Sequence, residues 1–191
     1  MTTSPVLAFL CRVFLRLTGW TVSGTSPVFK KYVVVAAPHT SNWDGVILLV
    51  AACTLRLKVS FFGKDTLFFG PLGWLLRFAG GIPLDRSRHQ GLVAQAAGWF
   101  RESDEFAMGL APEGTRKLSA GWKTGFYHIA NQAGVPIVLG YIDYAKKEVG
   151  IFPEALNPTG DIDGDFEILR RNYGPLTARH PESKAPIVPR A

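Results

Sequence analysis

Cysteine is scarce in this chain: Cys11 and Cys53 are the only two, and both lie in apolar stretches with helical character. That pattern reads as small core residues in a reducing compartment, and it excludes a disulfide framework. No histidine or cysteine cluster has metal-ligand spacing. His39, His89, His128 and His180 are scattered, so no metal site is expected. Charged residues make up only 19 % of the 191 positions, and no repeat or low-complexity block interrupts the chain. No apolar run reaches the roughly 18 residues that a bilayer-spanning helix needs. The first residues lack positive charge and no small-residue cleavage site follows, which argues against a signal peptide. Lysines and arginines are not concentrated in one element and no recognition motif is present, so no nucleic-acid partner is expected.

Apolar residues and a basic balance are what the chain does have. The apolar fraction is 47 %, with 13 Phe and 5 Trp, and the formal net charge is +6. Such a balance points to an anionic partner, and basic residues together with aromatics favour a membrane surface. The N-terminal stretch from Pro5 to Trp20 predicts a helix with Arg12 and Arg16 on one face and Leu7, Phe9, Leu10 and Phe14 elsewhere. Two placements fit it: in a membrane interface with its basic side toward the headgroups, or on the protein's own core with snorkelling arginines. The organisation expected is an interfacial helix over 1–29, one domain over 30–173 and a loosely ordered tail over 174–191.

Beyond residue 30, strands and helices alternate. Tyr32 to Ala37 reads as a buried strand and Gly45 to Leu55 as a buried helix. Lys58–Gly63, Gly81–Leu84, Glu105–Ala111, Val135–Tyr144 and Val149–Phe152 read as further strands. Phe68–Ala79, Gln90–Arg101, Lys123–Gln132 (closed by Gly134) and Asp161–Asn172 read as helices. This predicts a single α/β domain with a mostly parallel central sheet flanked by helices. The aromatics between Phe61 and Phe78, near Lys58, Lys64 and Arg77, fit either core packing or a lipid-facing or acyl-lining patch.

The polar residues of interest stand where strands end. Pro38-His39-Thr40-Ser41-Asn42-Trp43-Asp44 joins the first strand to the first helix of the domain. His39 and Asp44 fit a general base with an orienting carboxylate. The same residues fit a helix N-cap at Ser41 with Asp44 reaching back, which leaves His39 a loop histidine. A short strand delivers Asp85 and Arg86, and another delivers Pro112-Glu113-Gly114-Thr115-Arg116. In a parallel sheet, the ends after Ala37, Leu84 and Ala111 share one edge, where His39, Arg86, Glu113 and Arg116 converge on one ligand. Two arginines beside a glycine turn suit a phosphate. Taken singly, these segments also read as surface charge or a structural ion pair.

His39-x4-Asp44, the Gly-x-x-Pro-Leu-Asp-Arg86 segment, Pro112-Glu113-Gly114-Thr115-Arg116 and Val135-Pro136-Ile137-Val138, in this order, resemble the four motifs of the glycerolipid acyltransferase family. That family includes the 1-acylglycerol-3-phosphate acyltransferases, and the likeness covers roughly Tyr32 to Tyr144. It implies His39 as general base and Asp44 as the group that holds its tautomer, with the acceptor hydroxyl itself as nucleophile. It implies Arg86, Glu113, Gly114, Thr115, Arg116 and Lys123 around the acceptor phosphate, and Val135 and Pro136 at the acyl-donor site. No bound cofactor is implied; acyl-CoA or acyl carrier protein is the co-substrate, and a lysophospholipid in an anionic membrane the acceptor. The expected location is the cytoplasmic face of a membrane. Pro38, Pro83 and Leu139 depart from the family's usual residues and bear on acceptor identity, leaving the catalytic groups in place. A lysophosphatidic-acid-like acceptor, another lysophospholipid, aminolipid or glycolipid acceptor, and a non-catalytic lipid-binding protein are the three functions compatible with this reading.

Overall fold

Residues 4–84 and 92–190 are described by the computed structural model. Helix α1 (Pro5–Leu17) begins where the Ser4 hydroxyl accepts a hydrogen bond from the Leu7 amide and Pro5 opens the first turn. Strands β1 (Thr21–Ser23) and β2 (Lys31–Ala37) lead to helix α2 (Asn42–Thr54). Then come β3 (Val59–Lys64), α3 (Gly70–Phe78), β4 (Gly81–Leu84), α4 (Leu92–Glu102) and β5 (Phe106–Leu110). The C-terminal part holds β6 (Trp122–Lys123), α5 (Gly125–Ala133), β7 (Ile137–Asp143), β8 (Glu148–Leu156), α6 (Ile162–Tyr173) and β9 (Pro189–Arg190).

One sheet runs β1-β8-β7-β2-β5-β3-β4, and the five strands from β7 to β4 are mutually parallel. Strand β8 turns back antiparallel to β7 and carries β1 on its far side. Residues of β7 are buried throughout and β2 nearly so, as parallel strands must be when helices cover both faces. Val33, Val35 and Ala37 pack into a core with α4, α5 and α6. Tyr32 and Val34 point the other way, toward Leu57, and on that side Leu15 of α1 meets Ile47 and Ala51 of α2.

Several expectations need correction. The tail is held in place. Leu176, Ala178, Ala185 and Ile187 are buried, and β9 pairs with β6 in a small second sheet. The Lys184 ammonium donates to the carbonyls of Tyr173, Gly174 and Leu176 at 2.5–3.0 Å, satisfying groups that α6 leaves open at its end. Proline-rich composition hid an extended segment that packs without periodicity. Lys123 lies in β6, with α5 starting at Gly125, because the Trp122 side chain is buried and its strand pairs with β9. Strand β1 was too short to read. Cys11 and Cys53 are free thiols that face one another across α1 and α2, with sulfurs 2.8 Å apart. Gln90 and Gly91, at the start of the expected fourth helix, lie outside the described residues.

Candidate active site

At the end of β2 the chain passes through Pro38–Ser41 into α2, and a capping box fixes the entry. The Ser41 hydroxyl accepts from the Trp43 amide at 3.2 Å. Asp44, three residues on, takes the Thr40 and Ser41 amides on Oδ2, each at 2.7 Å. Its other oxygen accepts the Tyr144 hydroxyl at 2.5 Å. The carboxylate, 1 % exposed, also stands 3.9 Å from His39 Nδ1. Cap and His39 partner, two alternatives in the sequence, are one carboxylate in the fold. At 3.9 Å the imidazole contact is longer than a hydrogen bond, and such contacts commonly tighten when substrate binds.

His39 Nδ1 is buried without a hydrogen-bond partner among the described residues, which leaves it open to Asp44. Burial lowers the His39 pKa and the Arg116 charge lowers it further, against an opposing pull from Asp44. Burial and Arg116 thus favour the neutral imidazole, the form a general base uses.

Strand β5 lies beside β2 with Val35 opposite Leu110, so the turn after it meets the His39 loop. Glu113 is 2 % exposed, and its Oε1 accepts the His39 amide at 2.9 Å. Burial, with Asp44 nearby, pushes this carboxyl up to about 7, against the His39 amide and the Lys184 charge. Oε2 is buried and unpartnered among the described residues. Glu113 thus ties the turn after β5 to the His39 loop from a buried position. Gly114 has φ +64°, and a Cβ there would stand 2.9 Å from Lys123 Cδ, so glycine lets the lysine lie across the turn. The Thr115 hydroxyl accepts the Lys117 amide, and the Arg116 guanidinium donates to the Asn42 side-chain oxygen. Gly114, Thr115, Arg116 and Lys123 are exposed.

The structure thus gathers His39, Asp44, Glu113, Gly114, Thr115, Arg116 and Lys123 at the C-terminal edge of the parallel strands. Strand β4 ends at the same edge, three strands from β2, about 14 Å away. Arg86 lies outside the described residues. Val135 and Pro136 are not at this edge. The Pro136 carbonyl accepts the Val33 amide at the start of β7. Because β7 runs parallel to β2, that start is about 13 Å from the end that carries His39. Val135 is core.

Tyr144, Arg179 and His180 escaped the sequence reading. Trp20 meets the Tyr144 ring edge-on with centroids 5.0 Å apart, and the Arg179 guanidinium lies 5.9 Å from the same ring. The His180 amide donates to the Thr40 hydroxyl at 3.2 Å. Tyr144 directly follows β7, so the strand-end rule that found His39 applies to it too. Nothing in the tail's pattern marks Arg179 or His180. Next to Tyr144, an apolar hollow of about 260 Å³ opens between α1 and α2, lined by Phe14, Trp20, Trp43, Val46 and Ile47. Among the described residues, no group of three or more His, Cys, Asp or Glu side chains could hold a metal ion.

A histidine beside a buried carboxylate, next to a glycine turn with exposed arginine and lysine, is an arrangement suited to general-base chemistry on an anionic substrate. Residues 19–143 match the family model described as Acyltransferase. The chain belongs to that family. It is 31 % identical over 115 residues to the 1-acyl-sn-glycerol-3-phosphate acyltransferase of Escherichia coli, covering 55 % of this chain and 44 % of that one. The Haemophilus influenzae protein of the same name is 34 % identical over 110 residues, 52 % of this chain and 43 % of its own. The chain therefore spans less than half the length of these curated relatives. The crystal structure of the 1-acyl-sn-glycerophosphate acyltransferase from Thermotoga maritima superposes with a TM-score of 0.63 at 18 % identity, covering 87 % of this chain and 76 % of that one, and shows the shared fold.

Proposed function

We propose that this chain transfers a fatty acyl group from an acyl-CoA or acyl carrier protein thioester to the hydroxyl of a lysophosphatidic-acid-like acceptor at a membrane surface. The observation that carries the reading is the placement of His39, with Asp44 Oδ2 3.9 Å from its Nδ1 and Glu113 of the Arg116 turn on its amide. The family membership and the names of the curated relatives support it.

His39 Nε2, the nitrogen turned away from Asp44, takes the acceptor's hydroxyl proton as its oxygen attacks the thioester carbonyl. A new C–O bond forms, the tetrahedral adduct collapses, and the C–S bond breaks. The departing thiolate takes the proton back from the imidazolium. Asp44 stabilises that imidazolium and orients the ring. Arg116 and Lys123 hold the phosphate, and Arg86, two residues past β4 in the sequence, is the third cation the reading assigns to it. Among the described residues no helix is long and apolar enough to cross a membrane, and the site is read as working from the bilayer surface. The apolar hollow lined by Tyr144, whose hydroxyl donates to Asp44, suits an acyl chain.

The test is thiol release from acyl-CoA, and separately from acyl carrier protein, against a panel of phosphorylated and unphosphorylated lysolipids. His39→Ala is expected to abolish release, and Arg116→Ala to weaken it chiefly with phosphorylated acceptors. Full turnover by His39→Ala overturns the mechanism. Liposome binding without thiol release favours the non-catalytic alternative.

A further inference from the structure

We propose that α3 is a second lipid-docking element, set on the same side of the sheet as α1, and that it carries Phe69, Trp74 and Phe78 into the interface of an anionic bilayer. The proposal rests on the membrane-surface setting just given and adds to it which face meets the lipid.

Helix α3 shows its apolar side chains outward. Phe69 is 76 % exposed, Trp74 69 % and Phe78 53 %, and the Trp74 and Phe78 rings stack at 5.8 Å. Only Gly73 of this helix is buried. A Cβ there would stand 2.1 Å from the Phe68 carbonyl carbon, so the helix folds closely back on the chain that leads into it only because residue 73 has no side chain. Arg77 reaches over Phe68, 5.3 Å from its centroid.

The side of the sheet follows from β3. Phe62 points toward α4, where its ring meets Trp99 at 5.6 Å. Gly63 points the opposite way, along with Val59, and Val59 packs with Leu57 beneath the α2 side. A Cβ on Gly63 would collide with the Phe68 ring at 2.7 Å. Phe68, and α3 with it, therefore lies on the α1 and α2 side, as right-handed crossovers require.

Charge distinguishes the two layers. Helices α1, α2 and α3 carry Arg12, Arg16 and Arg77, and their single carboxylate, Asp44, is buried. Helices α4 and α6, on the opposite layer, set the exposed carboxylates Glu102, Asp163 and Glu167 against Arg101, Arg170 and Arg171, so that layer is balanced where the first is basic. Exposed aromatics beside Arg77, on a layer whose three helices carry no exposed acid and where Asp65 in the turn before α3 is the acid nearest in sequence, complement anionic headgroups over an acyl boundary. On the same side of the sheet, α1 also exposes Val6, Phe9 and Leu17.

The test uses the full chain and sucrose-loaded vesicles of phosphatidylcholine alone or mixed with phosphatidylglycerol. Phe69→Ser, Trp74→Ser and Phe78→Ser combined should lower partitioning into the anionic vesicles about tenfold or more. Folded circular dichroism and thiol release with a monomeric short-chain acceptor should stay unchanged. Brominated lipids should quench the parent's tryptophan emission, and Trp74→Phe should remove a measurable share of that quenching. Unaltered partitioning of the triple variant, or quenching unaffected by Trp74→Phe, overturns the proposal. So does a lipid-free dimer that the triple variant converts to monomer, which assigns the face to a second copy. Absence of thiol release in the parent would count against the proposed activity alone, since the vesicle measurements need no turnover.

Discussion

Replacing Glu113 by glutamine removes one titrating proton from beneath the His39 loop while keeping an oxygen to accept the His39 amide. In the folded chain the carboxyl holds its proton to about pH 7, against an ordinary value of 4.5, because it is buried. Between those values the folded state binds the extra proton, so stability is full below about pH 4.5 and declines as pH rises toward 7. A displacement of about 2.5 on the pH scale, at about 1.36 kcal/mol for each step, makes that decline about 3 kcal/mol. The variant loses this contribution to the pH slope. Its amide hydrogens stand where Oε2 has no acceptor among the described residues, an offset of about 1–3 kcal/mol that does not vary with pH. Urea unfolding of parent and variant at pH 5 and pH 8 gives a double difference from which that offset cancels. If Glu113→Gln loses stability between the two pH values as steeply as the parent, the carboxyl is not held protonated and the account of this buried acid is wrong.

The pH profile of kcat/KM should fall on its acid side with a midpoint below the usual histidine value of about 6.5, because burial and Arg116 favour the neutral imidazole. Arg116→Ala should move that midpoint upward; a midpoint that stays put removes Arg116 from the electrostatics of His39. Tyr144→Phe leaves an Asp44 oxygen without its hydroxyl donor, and should cost about 1–3 kcal/mol in unfolding free energy with a lower kcat at nearly unchanged KM. Equal kcat in this variant would show that the tyrosine plays no part in holding Asp44. Gly114→Ala forces a side chain onto a backbone with φ +64° and onto Lys123, at about 1–2 kcal/mol. Thermal unfolding that matches the parent would show that the turn relaxes at no cost.

Strand β2 and helix α2 were legible because a β-branched apolar run and a capping serine are local signals. The convergence of His39 with the Glu113–Arg116 turn was legible too, since parallel strands put their ends on one edge. The same rule, applied to the start of β7, places Val135 and Pro136 at the far edge; motif order alone carries no such direction. The burial of Glu113 was not legible, because nothing local distinguishes a carboxylate that faces solvent from one sealed under a loop. Residues 174–190 resisted reading for a related reason. Their order comes from contacts distant in sequence, such as Trp122 with Val188 and His180 with Thr40.

Asp44 has a consequence for how this chain can vary. Stability and activity commonly pull mutations in opposite directions, because sites carry strain that the rest of the fold must absorb. Here the carboxylate that starts α2 is the one that stands beside His39, the base of the proposed reaction, and Tyr144 secures it from the end of β7. A drift that loosens the helix start also misplaces the imidazole, and one that firms it sharpens the site. Selection for heat tolerance and selection for turnover therefore act on this residue in the same direction, and at position 44 neither leaves room for a neutral exchange.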